Sequence, residues 1–480
     1  MWWEQAVIYQ VYVRSFQDTN GDGIGDLPGV TARLAHVAEL GAAAVWLSPI
    51  YPSPNADFGY DVSDFRGVEP AFGTLADLDA LVERAHGLAL KVLLDFVPCH
   101  TSIEHPWFRE HPEYYVWADA PPNNWLASFG GTAWERDPAS GRYYLHSFFA
   151  EQADLDWRNP EVCRVVSDAL RFWRARGVDG FRLDALDRLL KDPDLRDDPL
   201  ATAPPILPLD ARYGTLLHTH SSNAPDIGDA LRAIREAVGP DTALIGEVYL
   251  PSDALTPYLK SLDAVFAFEA MHAHNASALR RGIESAIAAG KQGWILSNHD
   301  FTRLATRAGP ENARAVTTLL MALPGPVFVF QGDELGVVDG SQDGLALDRF
   351  GRDAFRHPMA WNGESGGGFT TGTPWLPVGD GTTASVAVQE MDPHSHLALI
   401  RALCALRPRL SGPVTFLDGP DGTIVARRGE HVVAVNLCDV PRPVPPLGDD
   451  ARAVLESRPG DAANLHTIPA HGGWISHAPV

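Results

Sequence analysis

The chain contains 480 residues, of which 45% are hydrophobic and 21% are charged, and its formal net charge is −23. This length and apolar content are sufficient for one large domain with one or two smaller ones, and they exclude a disordered scaffold. The negative charge repels phosphate backbones and anionic headgroups, which argues against nucleic acid and membrane surfaces as partners. A small neutral or cationic molecule is therefore the expected type of partner.

The N-terminal residues MWWEQAVIYQVYV contain no basic segment and no apolar run of about 20 residues. We therefore expect no signal peptide and no membrane span, and a cytoplasmic location by default. The four cysteines lack CxxC spacing, which predicts buried free thiols rather than disulfides or a zinc site. They are Cys99, Cys163, Cys404 and Cys438.

Eight short apolar runs, rich in β-branched residues, recur along the first two thirds of the chain and predict strands. They begin at Ala6, Ala43, Leu90, Gly177, Ala243, Ala264, Gly293 and Gly325. Stretches with helical spacing lie between them and include segments that begin at Ala32, Leu75, Val162 and Ala230. Alternating strands and helices predict an α/β fold, a (β/α)8 TIM barrel, although an open doubly wound sheet is the alternative.

Two intervals are too long for simple loops and predict insertions at one face of the barrel. The first is rich in Trp, Tyr, Pro and His, and the second is punctuated by Pro and Asp. Near residue 408, helical spacing gives way to short apolar segments separated by GPDG, RRGE and PPLG, which predicts a small antiparallel β domain. The predicted domains are a catalytic barrel over 1–100 and 158–407 with an irregular insertion at about 187–228, an inserted subdomain after strand 3 over 101–157, and a C-terminal antiparallel β domain over 408–480.

Polar residues stand where several of the apolar runs end, and the carboxyl ends of barrel strands meet at one rim. Carboxylates gathered with an arginine raise one another's pKa and so separate a protonated acid from an ionised one, as glycoside hydrolysis requires. The alternative for any single residue is a solvated strand-end acid or a helix N-cap. The strand-end residues are Asp95, His100, Arg182, Asp184, Glu247, His299 and Asp300.

Four of these segments, DFVPCH, GFRLD, GEVYL and SNHD, resemble the signature regions of the α-amylase family of glycoside hydrolases, particularly its α-glucosidase and oligo-1,6-glucosidase branch. Further matches, including DFGYDVSDF, FGGTAW, EQADLDW and GRDAFRHPMAW, extend the resemblance over nearly the whole chain. The resemblance implies that Asp184 is the nucleophile, Glu247 the general acid/base, and Asp300 a third acid that stabilises the transition state. It also implies retention of anomeric configuration.

The resemblance further implies a pocket for one terminal glucose, with Tyr60 stacked on the sugar ring and Arg182 also keeping Asp184 ionised. Asp57 and Arg352 would close the far end of the pocket and make the enzyme exo-acting. For the aromatic residues, ordinary core packing is the alternative. The implied hydrogen-bonding residues are Asp57, His100, Arg182, His299 and Arg352, and the implied walls are Phe129, Phe148 and Gln152.

Ala185 follows the implied nucleophile. In the resembling branch, valine at this position accompanies α-1,6 cleavage, and alanine or threonine accompanies α-1,4 cleavage. The expected function is thus a retaining, exo-acting α-glucosidase acting on maltose-like or sucrose-like α-glucosides, with transglucosylation as a side reaction. The alternatives are an oligo-1,6-glucosidase, a transglucosylase or disaccharide isomerase of the trehalose synthase or sucrose isomerase type, and a non-catalytic transporter heavy chain, which would lack the acids.

The segment DTNGDGIGD alternates oxygen-bearing residues as a Ca²⁺ loop does, but it lacks the helices and the late glutamate of an EF-hand. The resembling enzymes carry a structural Ca²⁺, or Mg²⁺ in its place, in this loop; a metal-free acidic turn is the alternative. A second calcium is not expected, because Cys99 replaces the asparagine that binds it in longer amylases. The implied ligands of the loop are Asp18, Asn20, Asp22, the carbonyl of Ile24, and Asp26.

Overall fold

A computed structural model of the chain describes residues 1–202, 212–341, 346–379, 384–448 and 450–479. Eight strands form a closed barrel in which each strand neighbours the next along the chain and the eighth pairs in parallel with the first. The predicted barrel and all eight strand positions are confirmed, and the open sheet is excluded. The barrel strands are Val7–Val11, Ala44–Leu47, Lys91–Phe96, Gly180–Leu183, Ala243–Gly246, Ala264–Phe266, Gln292–Ile295 and Val327–Phe330.

Burial explains why the barrel strands read as apolar runs. Every residue of the first, second, fourth, fifth and eighth strands is buried, as expected for strands covered on both faces. Gly180 is required where the fourth strand meets the fifth, because a Cβ there would lie 2.7 Å from the carbonyl oxygen of Ala243. This close approach lies at the amino ends of the two strands, which stay paired in parallel as far as Leu183 and Gly246.

The predicted helices are present, and their N-caps set their boundaries. The first begins five residues before the predicted start, because Asp26 caps it by accepting a hydrogen bond from the Gly29 N–H. Asn159 caps the helix that begins at Pro160. Within the described part of the chain, the helices of eight or more residues are Leu27–Glu39, Leu75–Gly87, Pro160–Ala175, Ile227–Val238, Ala276–Ala289, Pro310–Ala322 and His396–Leu406; shorter ones are Pro106–Glu110, Thr256–Leu259, Phe268–Met271, Leu304–Arg307 and Val386–Glu390.

Short antiparallel strands follow the third barrel strand, where the insertion is predicted. They are His100–Ser102, Trp117–Ala118, Trp134–Arg136, Tyr143–Leu145 and Gln152–Asp154. Of the second predicted insertion, residues 203–211 lie outside the described part of the chain.

The C-terminal region forms an antiparallel sheet, as predicted. Its five strands, in spatial order, are Val414–Leu417, Thr423–Arg428, His431–Asn436, Gly473–His477 and Arg452–Glu456, and Arg442–Pro443 pairs separately with Thr467–Ile468.

The chain divides into two compact units, one made of residues 1–46, 83–91 and 267–480, the other of residues 47–82 and 92–266. We call them the first and the second unit. All four cysteines are free, as predicted, but only Cys99 and Cys404 are buried, while Cys163 and Cys438 are partly exposed. Among the described residues, no helix has the length and apolar content needed to cross a bilayer.

Candidate functional site

Arg182 lies at the centre of a buried cluster of carboxylates in the second unit. It pairs in register with Asp95 of the neighbouring strand, and its Nη1 lies 2.8 Å from Asp95 Oδ1 and 2.6 Å from Asp184 Oδ1. Its Nη2 contacts Glu247 Oε1. Strand hydrogen bonds fix both acids, because the N–H of Asp184 donates to the carbonyl of Phe96 and that of Glu247 to the carbonyl of Leu183. One guanidinium group thus holds three carboxylates at the ends of three adjacent strands.

Burial has the largest effect on the pKa values of the aspartates in this cluster. It raises the pKa of Asp95 and of Asp184 to about 7, and Arg182 opposes both shifts. Arg182 favours the ionised form of Asp184, but the loss of hydration outweighs this attraction. A carboxyl group that titrates near neutral pH in a buried cluster is typical of acid–base chemistry.

Ala185 follows Asp184 in a left-handed conformation, with φ 46° and ψ 45°. This backbone is unfavourable for a residue with a Cβ. It directs the Ala185 N–H to Glu247 Oε2, at 3.2 Å. Tyr249, which the sequence analysis did not single out, donates its hydroxyl to Glu247 Oε1 at 2.8 Å.

The residues predicted to bind sugar in the second unit form a continuous hydrogen-bonded and aromatic network. Gln152 Nε2 donates to Asp57 Oδ2 at 2.9 Å and lies 3.1 Å from His100 Nε2. Tyr60 donates its hydroxyl to Asp95 Oδ2 at 2.8 Å, which links this network to the Arg182 cluster.

Aromatic rings continue the network of the second unit. The ring of Phe148 lies 5.3 Å from that of His100 and 5.4 Å from that of Phe129, and both phenylalanines are half-buried. Burial lowers the pKa of His100. The neutral ring can then donate or accept a hydrogen bond according to its tautomer.

The first unit brings together His299, Asp300 and Arg352. Asp300 Oδ2 lies 3.2 Å from His299 Nε2, and Asp300 Oδ1 lies 3.2 Å from Arg352 Nη1. Sequence reasoning missed two further members, Asp348 and Arg356. Arg356 Nη2 also lies 3.2 Å from Asp300 Oδ1, and Asp348 binds the Arg352 side chain through Nε and Nη2.

The oxygen atoms of the predicted metal loop accept hydrogen bonds from the loop itself. Asp18 Oδ1 accepts from the N–H of Asn20 and of Gly21, and Asp26 Oδ2 accepts from the N–H and the hydroxyl of Thr19. Carboxylate, amide and carbonyl oxygens are the donor set that suits a hard divalent cation, so the chemistry of the loop fits.

Among the described residues, the group of at least three metal-ligating side chains that converges is Cys99, His100 and Asp154. The ammonium group of Lys191 lies 2.8 Å from Asp154 Oδ2, so the charge of this carboxylate is already balanced by a lysine. Burial raises the pKa of the Cys99 thiol, which disfavours a thiolate ligand.

Known proteins resemble this chain over most of its length. Residues 10–411 match the family described as alpha amylase, catalytic domain. The chain is 41% identical to a probable alpha-glucosidase of Rhizobium meliloti, over 87% of this chain and 85% of that protein. It is 34% identical to an oligo-1,6-glucosidase of Parageobacillus thermoglucosidasius, over 85% of this chain and 84% of that protein. A solved alpha-glucosyl transfer enzyme superposes with a TM-score of 0.92 at 36% identity, and the match covers 99% of each chain.

The match to the family covers the last two residues of the first barrel strand, all of the other seven, and the acids around Arg182 and Arg352. The relatives that exceed 30% identity are also covered over most of their own length. The chain therefore belongs to the α-amylase family of glycoside hydrolases.

Proposed function

We propose that the protein is an exo-acting α-glucosidase that releases terminal glucose from small α-glucosides with retention of configuration. The observation that carries the proposal is the buried contact of Arg182 with Asp184 and Glu247 at the ends of adjacent barrel strands. Several curated relatives, including the Rhizobium protein, are named as α-glucosidases. Two carboxyl groups held by one guanidinium group provide the pair that a double displacement needs.

In the proposed reaction, ionised Asp184 attacks the anomeric carbon while protonated Glu247 gives its proton to the departing glycosidic oxygen. The bond to the aglycone breaks as the bond to Asp184 forms. Glu247, now ionised, then takes a proton from water, which attacks the same carbon and releases glucose and free Asp184. Asp300 is proposed to hold the sugar hydroxyls and stabilise the transition state.

The terminal glucose is proposed to bind the network around Asp57, His100 and Gln152, with further hydrogen bonds from His299 and Arg352. Tyr60, Phe129 and Phe148 would supply apolar surface for the C–H face of the ring. The small side chain of Ala185 supports a preference for α-1,4 linkages.

The test is glucose release by the wild type and by Asp184→Ala from maltose, isomaltose, sucrose, trehalose and 4-nitrophenyl α-glucoside. We expect the wild type to release glucose, with maltose preferred over isomaltose, and the variant to be inactive. Proton NMR of the first product should show the α-anomer. A wild type that is inactive on every substrate, or that releases the β-anomer, would refute the proposal.

Transglucosylation is a second candidate activity, which the resemblance to the alpha-glucosyl transfer enzyme supports. In that case a sugar hydroxyl replaces water in the second step, and Glu247 deprotonates it in the same way. Product chromatography at high maltose concentration separates the two activities. Free glucose equal to twice the maltose consumed identifies hydrolysis, and new oligosaccharides identify transfer.

We further propose that the loop of Asp18, Asn20, Asp22, Ile24 and Asp26 binds a structural Ca²⁺ or Mg²⁺ that takes no part in the reaction. Its all-oxygen donor set supports this assignment. We also propose a cytoplasmic location, which is supported by four cysteines that remain free thiols.

A further inference from the structure

Tyr249 contacts the proposed acid/base and belongs to the same GEVYL segment, although the resemblance implies no role for it. Its hydroxyl donates to Glu247 Oε1 at 2.8 Å, and its side chain is half-buried. The Tyr249 N–H donates to Asp187 Oδ1 at 3.3 Å, and Asp187 is fully buried and paired with Arg188. The backbone at Tyr249 is therefore anchored to the segment that follows the fourth barrel strand.

The two oxygens of the Glu247 carboxyl have different surroundings in the second unit. Oε1 receives the Tyr249 hydroxyl and contacts Arg182 Nη2, whereas Oε2 receives the Ala185 N–H at the longer distance of 3.2 Å. A protonated carboxyl keeps one oxygen as acceptor and carries its proton on the other. The donated hydroxyl of Tyr249 and the positive charge of Arg182 both face Oε1, which favours this oxygen as the acceptor and leaves the proton on Oε2.

We propose that Tyr249 is a positioning residue of the active site, which together with Arg182 fixes Oε2 of Glu247 as the oxygen that carries the transferred proton. This inference rests on the proposed role of Glu247 as general acid/base. Without the hydroxyl, the proton divides between the two oxygens, so a smaller fraction of Glu247 carries it on Oε2. Protonation of the leaving oxygen then becomes less efficient.

The hydroxyl also affects the charge on Glu247. A donor on Oε1 favours the ionised carboxylate, so its removal raises the pKa of Glu247. The other charged groups that face Glu247 within the second unit are Arg182, Asp184 and Asp95, and the substitution leaves all three in place.

The experiment compares Tyr249→Phe with wild type on maltose and on 4-nitrophenyl α-glucoside, whose leaving group needs little protonation. We expect kcat/KM on maltose to fall about tenfold, the size of one hydrogen bond to a charged group, with a much smaller loss on the nitrophenyl substrate. The alkaline limb of the pH profile on maltose should move to higher pH. Tyr258→Phe is the matched control, because Tyr258 donates its hydroxyl to Asn223 at 3.0 Å and should retain wild-type values.

Equal losses on both substrates with an unmoved alkaline limb would show a merely structural role and overturn the inference, as would wild-type kinetics in Tyr249→Phe. Thermal melting of each variant identifies any loss of folded protein. A wild type without α-glucosidase activity refutes the proposed function itself, so the two failures are distinguishable.

Discussion

Single residues determine the chemistry of this protein through what surrounds them. Burial raises the pKa of Asp184 and of Asp95 to about 7, and the charge of Asp95 contributes to the rise at Asp184. The proposed nucleophile must be ionised, so activity should depend on the pH range in which Asp184 loses its proton.

We expect kcat/KM on maltose to fall as the pH drops below about 7, because Asp184 then becomes protonated. Replacing Asp95 by Asn removes a negative charge, lowers the pKa of Asp184 and moves the acid limb to lower pH. The pH–rate profile measures both effects, with Asp64→Asn, a change at an exposed acid, as control. An acid limb that stays in place or rises in Asp95→Asn would contradict this assignment.

In the first unit, the Asp348 carboxylate binds the guanidinium group of Arg352. The carboxylate lies 2.6 Å from Arg352 Nη2, and both side chains are buried. In Asp348→Asn the guanidinium group loses this charged partner, so we expect KM for maltose to rise at least about tenfold while kcat changes less. Steady-state kinetics test this, with the exposed Asp392→Asn as control, and an unchanged KM would show that Asp348 does not position Arg352.

The positions of the acids could be predicted from the sequence, but the residues that hydrogen-bond to the site, such as Tyr249 and Asp348, could not. Asp184 and Glu247 follow apolar strands, so their position on the barrel rim can be inferred from the strand pattern alone. Tyr249 follows the same strand as Glu247, but a tyrosine near a strand end is ordinary in sequence. Asp348 belongs to irregular chain without periodicity, and its partner Arg352 was found only by resemblance.

At the scale of elements, the apolar runs predicted every barrel strand because burial on both faces leaves a continuous signal. The strand Arg452–Glu456 was missed, since its first three residues are exposed and it lies at the edge of its sheet. The helix Leu27–Glu39 begins earlier than its apolar spacing suggests, because Asp26 caps it. Asp26 thus connects a helix start with the proposed metal loop.

Removal of divalent ions should lower the melting temperature of the protein while kcat/KM at 25 °C stays within about twofold of its starting value. The physical reason is that a bound cation stabilises the folded loop without contacting substrate. Scanning calorimetry with and without chelator measures this effect. Asp22→Asn, which weakens the donor set but retains Asp26 as helix cap, should abolish the response to chelator; a wild type without any shift would exclude the metal.

At the scale of the whole molecule, two buried arginines attach the C-terminal region within the first unit. Arg428 donates to the carbonyl of Ala322 at 2.7 Å and to Gln5 Oε1 at 2.8 Å, and Arg407 donates to the carbonyl of Gly325 at 2.6 Å. Carbonyls at the end of the helix Pro310–Ala322 lack partners within the helix. Arg428 satisfies the carbonyl of Ala322 and Arg407 contacts that of Met321, and both guanidinium groups interact favourably with the negative end of the helix dipole.

Arg428→Met should lower the free energy of unfolding by about 2 kcal/mol, because buried carbonyl and amide oxygens lose their donor. Activity at 25 °C should remain, since Arg428 belongs to neither proposed cluster. Thermal melting and maltose kinetics test both statements. The exposed Arg452→Met serves as control, and equal melting temperatures for the two variants would refute the role of Arg428.

The left-handed backbone at Ala185 has a consequence for how this enzyme can diverge. Alanine already bears the strain of that conformation, and a β-branched side chain is restricted further there, yet valine is the residue that the resemblance associates with α-1,6 cleavage. A lineage that changes its linkage preference at this position therefore gives up stability in the same mutational step. A change of linkage preference at this position should therefore follow, rather than precede, stabilising substitutions elsewhere in the chain.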